Sequence, residues 1–435
     1  LSLAEHDVDY YLNQPSYQGG SVNGLGSVCS IRNPMYQYDH NDDVTWNPSL
    51  KEGNQFPYRF NDAYRFNCGA NFVDIYGSAG SFRNENRDWD RYESFNPYPV
   101  FTNNAASYFG GWRKKLVGMS KDHNGCIVLQ DMLKTMTRDQ IDVVFDELIS
   151  HVNELMMDTF GNFVIQKLVE VCREEQRTAI LFCITEREPQ LMNICLNVHG
   201  TRAVQKLLSH ITTEKQLSLV MCCINPNALT LSTDINGHHV IQHCVKNFSE
   251  NDNQYLLATI LDNTFSIAKD KSGCCVLQHC VEYTNGELRE AFVAEITAFS
   301  LQLSQDRYGN YVVQHIIGLK DERITANVLS KLYGHFVALS FNKYGSNVVE
   351  KCMSDSNEDQ SARIIVEIVS SPDAHFLLQD PYGNYVIQSA LSVSKGRTNE
   401  LLRNLIHMNF PFLRSSVYGK KVLAWFDRRN QQYCV

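Results

Sequence analysis

Apolar residues recur at helical spacing through the last three quarters of the chain, and the pattern restarts about every 36 residues. Downstream of each apolar stretch come a glycine, two variable residues, two mostly aliphatic residues and then Gln, as in Gly-Asn-Tyr-Val-Val-Gln at 309–314. The pattern predicts a packing helix followed by a second helix that begins near the glycine. One clear packing stretch has apolar residues at i, i+3, i+4 and i+7, namely Ile141, Val144, Phe145 and Leu148.

The anchoring glycines repeat with the period of a solenoid. Neighbouring glycines are separated by 36, 39, 37, 36, 36, 36, 38 and 36 residues. Self-similarity of this kind is typical of arrays in which each unit stacks only on its neighbours. We therefore predict an all-α fold, an α-solenoid of eight repeats with a weaker ninth copy. The glycines are Gly125, Gly161, Gly200, Gly237, Gly273, Gly309, Gly345 and Gly383, with Gly419 in the ninth copy.

A helix-capping residue lies three positions before every glycine. Asp, Asn and Ser accept orphan backbone N–H groups at helix N-termini, so the glycine should fall in the first turn. The first, second and fifth residues after it then project to one side, and the third and fourth turn toward the core. We call the first, second and fifth residues the triplet of a repeat. The capping residues are Asp122, Asp158, Asn197, Asp234, Asp270, Asp306, Asn342, Asp380 and Ser416.

Residues 1–110 differ in composition from the repeats. They hold 11 of the 21 tyrosines, 6 of the 11 prolines and 14 asparagines, but only 13 Leu, Ile or Val residues. That is too little aliphatic material to bury a core. We therefore predict a disordered Asn/Tyr/Pro-rich region over 1–110, with weak self-association through Tyr and Asn as an alternative, and a repeat domain over 111–435.

Net charge and its local placement point in opposite directions. The chain carries −9, and residues 111–435 hold 32 basic against 35 acidic residues, which argues against a general polyanion binder. A basic or imidazole side chain nevertheless follows the fifth triplet residue in six consecutive repeats. We call this row the basic stripe; it suits a phosphate backbone, and ordinary surface charge is the alternative. It consists of Lys167, Lys206, His243, His279, His315 and Lys351.

Composition and motifs exclude several function classes. No apolar run approaches the 18 or so residues that span a membrane, and no secretory pattern opens the sequence. The 14 cysteines lack metal-spaced pairs and indicate reduced thiols. The His, Cys and carboxylate residues occupy repeated positions without a unique catalytic constellation, so we predict neither an enzyme nor a cofactor. One cluster suggests a metal, but two of its members fill triplet positions, so we predict no metal site at Cys274, Cys275, His279 and Cys280.

The repeats resemble those of the Pumilio (PUF) family of RNA-binding proteins over about 111–435. The resemblance implies a crescent of eight repeats with capping repeats that binds single-stranded RNA, one base per repeat. In the family, the first and fifth triplet residues touch the Watson–Crick edge and the second stacks between bases. Asn with Gln matches uracil, Glu accepts from the two N–H donors of guanine, and Cys or Ser with Gln leaves room for adenine. Aromatic or guanidinium side chains in the second position each add about 1–3 kcal/mol of stacking.

The resemblance therefore implies a base for each triplet. In repeat order these are adenine, uracil, a tolerated adenine, no clear base, adenine, uracil, guanine and uracil. Because the family binds RNA antiparallel, the implied element is U-G-U-A-N-A-U-A, with the tolerant position at repeat four. The triplets are Cys126, Ile127 and Gln130; Asn162, Phe163 and Gln166; Thr201, Arg202 and Gln205; His238, His239 and Gln242; Cys274, Cys275 and Gln278; Asn310, Tyr311 and Gln314; Ser346, Asn347 and Glu350; and Asn384, Tyr385 and Gln388.

Two departures affect the expected affinity. Ile127 and Cys275 stand where Arg is common in the stacking position, so the U-G-U core at repeats six to eight should dominate binding. The resemblance implies a cytoplasmic monomer that binds mRNA 3′-untranslated regions and recruits deadenylase or translational-repression machinery. The alternatives are a nucleolar ribosome-assembly member of the wider group and a protein-interaction scaffold. A scaffold would not need Gln at the fifth position in seven of eight repeats, and the ribosome-assembly members tend to lose the base-reading triplets, most of which this chain retains.

Overall fold

A computed structural model describes residues 115–187 and 189–432, with side chains through residue 428. Within these residues the chain consists of helices, turns and short connections, and no strand is present. The predicted disordered region over 1–110 and its boundary with the repeats lie outside the described residues. The α-solenoid prediction is confirmed by the order of helices that follows.

Each repeat contains three helices, one more than the sequence predicted. Numbered in chain order, the triplet helices begin at or near the anchoring glycines. A long helix follows each triplet helix of the eight repeats, and a short helix then leads into the next repeat, except after repeat eight, where the long helix runs directly to the ninth copy. The triplet helices are α1 (His123–Thr135), α4 (Gly161–Val171), α7 (Gly200–Leu208), α10 (His238–Asn247), α13 (Gly273–Tyr283), α16 (Gly309–Ile317), α19 (Gly345–Asp355) and α22 (Gly383–Val393), with α24 (Val417–Gln432) in the ninth copy.

The other helices fall into the long and the short class. The long helices are α2 (Arg138–Leu148), α5 (Glu174–Thr185), α8 (Glu214–Ile224), α11 (Gln254–Asp262), α14 (Gly286–Ala298), α17 (Glu322–Leu332), α20 (Glu358–Ser370) and α23 (Gly396–Ser415). The short helices are α3 (Val152–Met157), α6 (Gln190–Leu196), α9 (Ala228–Thr233), α12 (Thr264–Ala268), α15 (Ser300–Ser304), α18 (Phe336–Ser340) and α21 (Ala374–Leu377), and residues 115–120 are also helical.

The short helices escaped prediction because apolar spacing continues across the break that creates them. Leu148 ends α2, and Val152 and Leu155 in α3 continue the same i, i+3, i+4 pattern. Between the two helices lies a 3₁₀ turn over Ile149–His151, and a second one over Asn225–Asn227 contains a proline. Periodicity alone cannot show a turn that preserves the phase of the buried face.

The nine predicted caps are all present. Oδ1 of Asp158 accepts hydrogen bonds from the backbone N–H groups of Phe160 at 2.9 Å and Gly161 at 2.8 Å. The capping side chain of every other repeat likewise bonds the N–H of its own glycine, including Ser416 with Gly419 at 3.2 Å. Each triplet helix therefore starts at a position that its capping residue fixes.

The anchoring glycines are required by close approach of the short helix. A Cβ at Gly273 would lie 2.3 Å from the carbonyl oxygen of Ile267, and one at Gly345 would lie 2.7 Å from that of Leu339. The other anchoring glycines of the eight repeats meet the short helical segment before them in the same way, and Gly419 meets Leu413 near the end of the long helix α23. Both distances are far inside van der Waals contact, so any larger residue would push the short helix off its triplet helix.

Successive triplet helices pack on one another without a break. Each contacts the triplet helix of the next repeat from α1 to α22, and α22 contacts α24. In repeats two to eight the third and fourth residues, such as Val312 and Val313, are buried, as predicted, whereas Val128 in repeat one is half-buried. These contacts form one hydrophobic core along the array and set the triplets of neighbouring repeats side by side.

Candidate nucleic-acid interface

The three triplet positions lie at three different depths. In seven of eight repeats the first residue is buried, with 0–4% of its surface exposed; the exception, His238, is half-buried. The fifth residue is half-buried in all eight repeats. The second residue is the most open, and it is exposed in five repeats, at Ile127, Arg202, Tyr311, Asn347 and Tyr385. The first residue therefore lies beneath the fifth rather than beside it, which the helical spacing alone did not predict.

In repeats two, six and eight the Asn and Gln of the triplet are bonded to each other. Nε2 of Gln314 donates to Oδ1 of Asn310 at 2.9 Å, and the equivalent pairs in repeats two and eight have distances of 2.9 and 3.0 Å. Nδ2 of Asn310 in turn lies 2.9 Å from the carbonyl oxygens of both Asp306 and Arg307. Because only a nitrogen can donate to two carbonyl oxygens, the position of Nδ2 in Asn310 is fixed. Its Oδ1 must then accept, so the donor of Gln314 is Nε2.

The triplets with a smaller first residue orient their Gln differently. Nε2 of Gln130 donates to the backbone carbonyl of Cys126 at 3.2 Å. In repeat three, Nε2 of Gln205 donates to the carbonyl of Thr201 at 3.1 Å and to its hydroxyl at 3.3 Å. In repeat five, Nε2 of Gln278 is buried without a hydrogen-bond partner among the described residues. An Asn in the first position thus holds the Gln in a bond between the two side-chain amides, and Cys or Thr in that position does not.

Repeat four departs from the others in geometry as well as in sequence. Nδ1 of His238 lies 3.0 Å from the carbonyl of Asp234, so this nitrogen carries the proton and Nε2 is left as an acceptor. Burial lowers the pKa of His238, and that of its neighbour His239 to about 4, so both imidazoles are neutral near pH 7. Nε2 of Gln242 donates out of the repeat, to the carbonyl of Cys275 at 3.3 Å.

Repeat seven holds a carboxyl group in the position that elsewhere holds an amide. Glu350 is half-buried and has neither a hydrogen bond nor an ion pair with any described residue. Burial raises the pKa of this carboxyl to about 7. The hydroxyl of Ser346 beneath it donates to the carbonyl of Lys343 at 3.3 Å. An ionised Glu350 can only accept hydrogen bonds, so this position suits a ligand that presents N–H donors.

The basic stripe is largely neutralised within the protein. Lys167 and Lys206, from neighbouring repeats, both pair with Glu170, the first at 2.6 Å, and Lys351 pairs with Asp355 at 2.7 Å. Burial lowers the pKa of His279 and of His315 to about 4 and also lowers that of His243, so these rings are uncharged near pH 7. A phosphate that binds here would have to compete with carboxylates for the lysines, or its binding would require protonation of a buried histidine ring.

A second row of cations was missed by the sequence analysis. Lys271, Arg307 and Lys343 lie two residues before the glycine in repeats five, six and seven, and all three are exposed. Arg307 lies over the ring of Tyr308, 5.4 Å from its centroid, and Lys343 lies 5.8 Å from the centroid of Tyr344. The recurring order of cap, cation, aromatic or small residue and glycine was the available signal.

No metal-binding cluster of three or more His, Cys, Asp or Glu residues occurs in the described part of the chain. The Sγ atoms of Cys274 and Cys275 are 4.0 Å apart, and Cys280 is fully buried behind them. Across residues 115–187 and 189–432 no helix is long and apolar enough to span a membrane.

The stacked helices and the row of triplets define a solenoid that offers one set of polar and stacking groups per repeat. A family model for the Pumilio-family RNA binding repeat matches this chain eight times, and the chain belongs to that family. The matched residues are 115–149, 151–185, 190–221, 227–261, 263–297, 301–327, 335–369 and 377–407.

Relatives in Arabidopsis thaliana support the same family assignment. The chain is 37% identical to pumilio homolog 8 over 426 residues, which cover 98% of this chain and 78% of that protein. It is 39% identical to Pumilio homolog 12 over 72% of this chain and 42% identical to Pumilio homolog 9 over 70%. The matches cover 52% and 54% of those two proteins, about half their length.

Solved structures of RNA complexes have the same architecture. The Puf4 RNA binding domain bound to the HO endonuclease RNA 3′ UTR recognition sequence superposes with a TM-score of 0.65 at 34% identity, covering 71% of this chain and 97% of that one. PUF-8 in complex with PBE-RNA also has a TM-score of 0.65, at 26% identity over 78% of this chain and 98% of that one.

Proposed function

We propose that this protein binds single-stranded RNA that contains the element U-G-U-A-N-A-U-A, with one base on each triplet and the 5′ base on repeat eight. The observation that carries the proposal is Glu350, a half-buried carboxyl group without a partner in a row of otherwise amide-bearing triplets. Guanine is the base with two adjacent N–H donors on its Watson–Crick edge, and a carboxylate accepts both. The single guanine of the element falls on this repeat.

Uracil recognition rests on the bonded Asn–Gln pairs. Since Asn310 is buried and its Oδ1 already accepts from Gln314, we assign contact with the base to Gln314 and a positioning role to Asn310. The Gln amide retains Oε1 as an acceptor and one N–H as a donor, which matches N3–H and one carbonyl oxygen of uracil. Adenine falls on repeats one, three and five, where the first residue has no side-chain amide for the Gln to bond and the Gln Oε1 can accept from the exocyclic amine.

The second residues supply stacking surfaces of unequal quality. Tyr311 and Tyr385 are exposed aromatic rings beside repeats six and eight, whereas Ile127 and Cys275 offer no π-face. Base–aromatic stacking contributes about 1–3 kcal/mol per base. This difference supports a U-G-U core that contributes most of the affinity, with weaker binding at repeats one and five.

In the cell, we propose, the protein acts as a cytoplasmic monomer on 3′-untranslated regions and recruits deadenylation or translational-repression machinery. The support is the Puf4 complex, whose RNA is a 3′ UTR recognition sequence, and the complete row of triplets. Pumilio homolog 8 of Arabidopsis thaliana is named as a chloroplastic protein, so imaging of a fluorescent fusion of the full chain should distinguish the chloroplast from the cytoplasm. A reporter mRNA carrying the element should be repressed, and its half-life separates decay from silencing.

The decisive experiment is selection of random RNA by the full chain. Enrichment of U-G-U-A followed by one tolerant position is expected. A different enriched motif would overturn the base assignments while leaving RNA binding intact. Absence of any enriched motif would favour the protein-interaction scaffold or the ribosome-assembly alternative, in which the triplets have no role in base recognition.

A further inference from the structure

The ninth copy keeps the packing of a repeat but not its triplet. Ser416 caps Gly419, and a Cβ at that glycine would lie 2.7 Å from the Cα of Leu413, as in the true repeats. Helix α24 continues the stack by packing on α22. The triplet positions, however, hold Lys420, Lys421 and Ala424, and all three are exposed. The ninth copy thus extends the interface with donors and a methyl group, without any side-chain acceptor.

Charge along the chain is strongly asymmetric. Residues 111–394 hold 24 basic against 33 acidic residues, a net charge of −9. Residues 395–435 hold 8 basic against 2 acidic residues, a net charge of +6. The attraction for a polyanion is therefore concentrated at the C-terminal end of the array, where the proposed polarity puts the 5′ end of the RNA element.

Lys420 and Lys421 differ from the lysines of the basic stripe in having no acidic partner. Within the described residues neither forms an ion pair, whereas the stripe lysines Lys167, Lys206 and Lys351 all do. Nζ of Lys421 lies 3.3 Å from the hydroxyl of Tyr385 and 5.5 Å from that ring's centroid. Tyr385 is the stacking residue of repeat eight, so the cation stands at the end of the row of stacking groups.

We propose that Lys420 and Lys421 bind backbone phosphates of the nucleotides on the 5′ side of the U-G-U core, without reading a base. The inference rests on the proposed RNA-binding function and adds a binding site to it. Lysine is a point charge that binds phosphate from many directions. Phosphate contacts position a nucleic acid and carry no sequence information, and Ala424 offers a base edge nothing to bond. RNA leaving repeat eight in the 5′ direction therefore passes over a cationic surface of the ninth copy.

The test compares three RNAs on the full chain: the octamer U-G-U-A-U-A-U-A alone, the octamer with three 5′ nucleotides, and the octamer with three 5′ abasic riboses. Both extensions should raise affinity about fivefold at low salt, because each adds phosphates within reach of the lysines. Changing the three added bases should have no effect. The variant Lys420→Gln/Lys421→Gln should lose the gain from both extensions and reduce the slope of log affinity against log salt by about 1.4, roughly 0.7 for each phosphate on a single strand.

The matched control is Lys215→Gln/Lys331→Gln, which removes the same charge from exposed positions on the long helices α8 and α17. It should keep the gain from the extension. The proposal is overturned if the extensions add nothing to wild type, if only the base-bearing extension adds affinity, or if both double variants lose the gain equally. Failure of the octamer itself to bind wild type would instead count against the proposed function.

Discussion

Repeats six and seven share one backbone and differ in what they offer a ligand. Both have a cap three residues before the glycine, a short helix in contact with that glycine and a fully buried Val-Val pair. They differ at the triplet, where Asn310 and Gln314 form a bonded amide pair and Ser346 and Glu350 leave an unpartnered carboxyl. The residues that build the repeat and those that select the ligand are therefore separate sets.

The largest expected effect is an exchange of base preference between the triplets of repeats six and seven. In repeat seven, Ser346→Asn/Glu350→Gln should convert guanine to uracil preference, because it restores the mixed donor and acceptor of the amide pair. Each mismatched base contact costs about 1–3 kcal/mol, so preference should swing by about two orders of magnitude or more. Affinities for RNAs with G or U at the second position of the element measure the swing.

The reciprocal change in repeat six, Asn310→Ser/Gln314→Glu, is the matched control. It should create guanine preference opposite repeat six and leave repeat seven unchanged. Retention of guanine preference by the repeat-seven variant would refute the roles assigned to Ser346 and Glu350.

The next largest effect is a loss of folding stability when an anchoring glycine of the shared repeat backbone is replaced. Gly345→Ala places a methyl group against the carbonyl of Leu339 and should lower the free energy of unfolding by about 1–3 kcal/mol. Gly118→Ala is the control, since a Cβ there meets nothing within 4 Å, and it should be neutral or stabilising. Chemical denaturation measures both. An unchanged Gly345→Ala protein would mean that the short helix moves freely relative to the triplet helix.

Lowering the pH should reduce the difference in base preference between repeats six and seven. The pKa of Glu350 is raised to about 7 in the RNA-free protein, and guanine binding requires the ionised carboxyl. Affinity for the guanine-containing element should therefore fall as the pH drops below about 7, by up to tenfold per pH unit. The protonated group has one donor and one acceptor, like Gln, so discrimination against uracil should also decline.

Titration of the double variant Ser346→Asn/Glu350→Gln bound to its uracil-containing element supplies the control and should be flat over the same range. In free wild-type protein the raised pKa means that the native state holds the proton more tightly than the unfolded chain. The contribution of this group to stability is therefore present below its unfolded pKa and is lost as the pH rises through about 7. If the affinity for the guanine-containing element did not change between pH 6 and 8, the raised pKa of Glu350 or its role in binding guanine would be wrong.

The smallest effect tests which atoms of uracil are read. If Gln314 alone contacts the base, it engages N3–H and one of the two carbonyl oxygens. Replacing the uridine opposite repeat six by 2-thiouridine and, separately, by 4-thiouridine should then weaken binding in one case only, by about threefold to tenfold. Equal losses from both substitutions would mean that Asn310 also bonds the base. The same substitutions opposite repeat four serve as the control and should have little effect.

The repeat frame could be predicted from sequence because its determinants are local. Spacing identified the glycines, residue type identified the nine caps, and periodicity identified the buried third and fourth residues. What escaped prediction depends on atoms from different turns or repeats. Burial of Asn310 follows from a Gln side chain four residues later that folds over it. Neutralisation of Lys206 follows from Glu170 in the preceding repeat, and no pattern within a single repeat contains that pair.

Two hydrogen bonds made by triplet residues run between repeats rather than within them. The hydroxyl of Thr201 donates to the carbonyl of Asn236 at 3.0 Å, and Gln242 donates to the carbonyl of Cys275. Repeats three, four and five are therefore mechanically joined through their own triplets, whereas the triplet amides of repeats six and eight bond only inside their repeat. For an engineer who exchanges repeats to retarget the array, the base-reading amides of repeats six and eight can be moved with their own repeats, whereas repeats three to five should be replaced together.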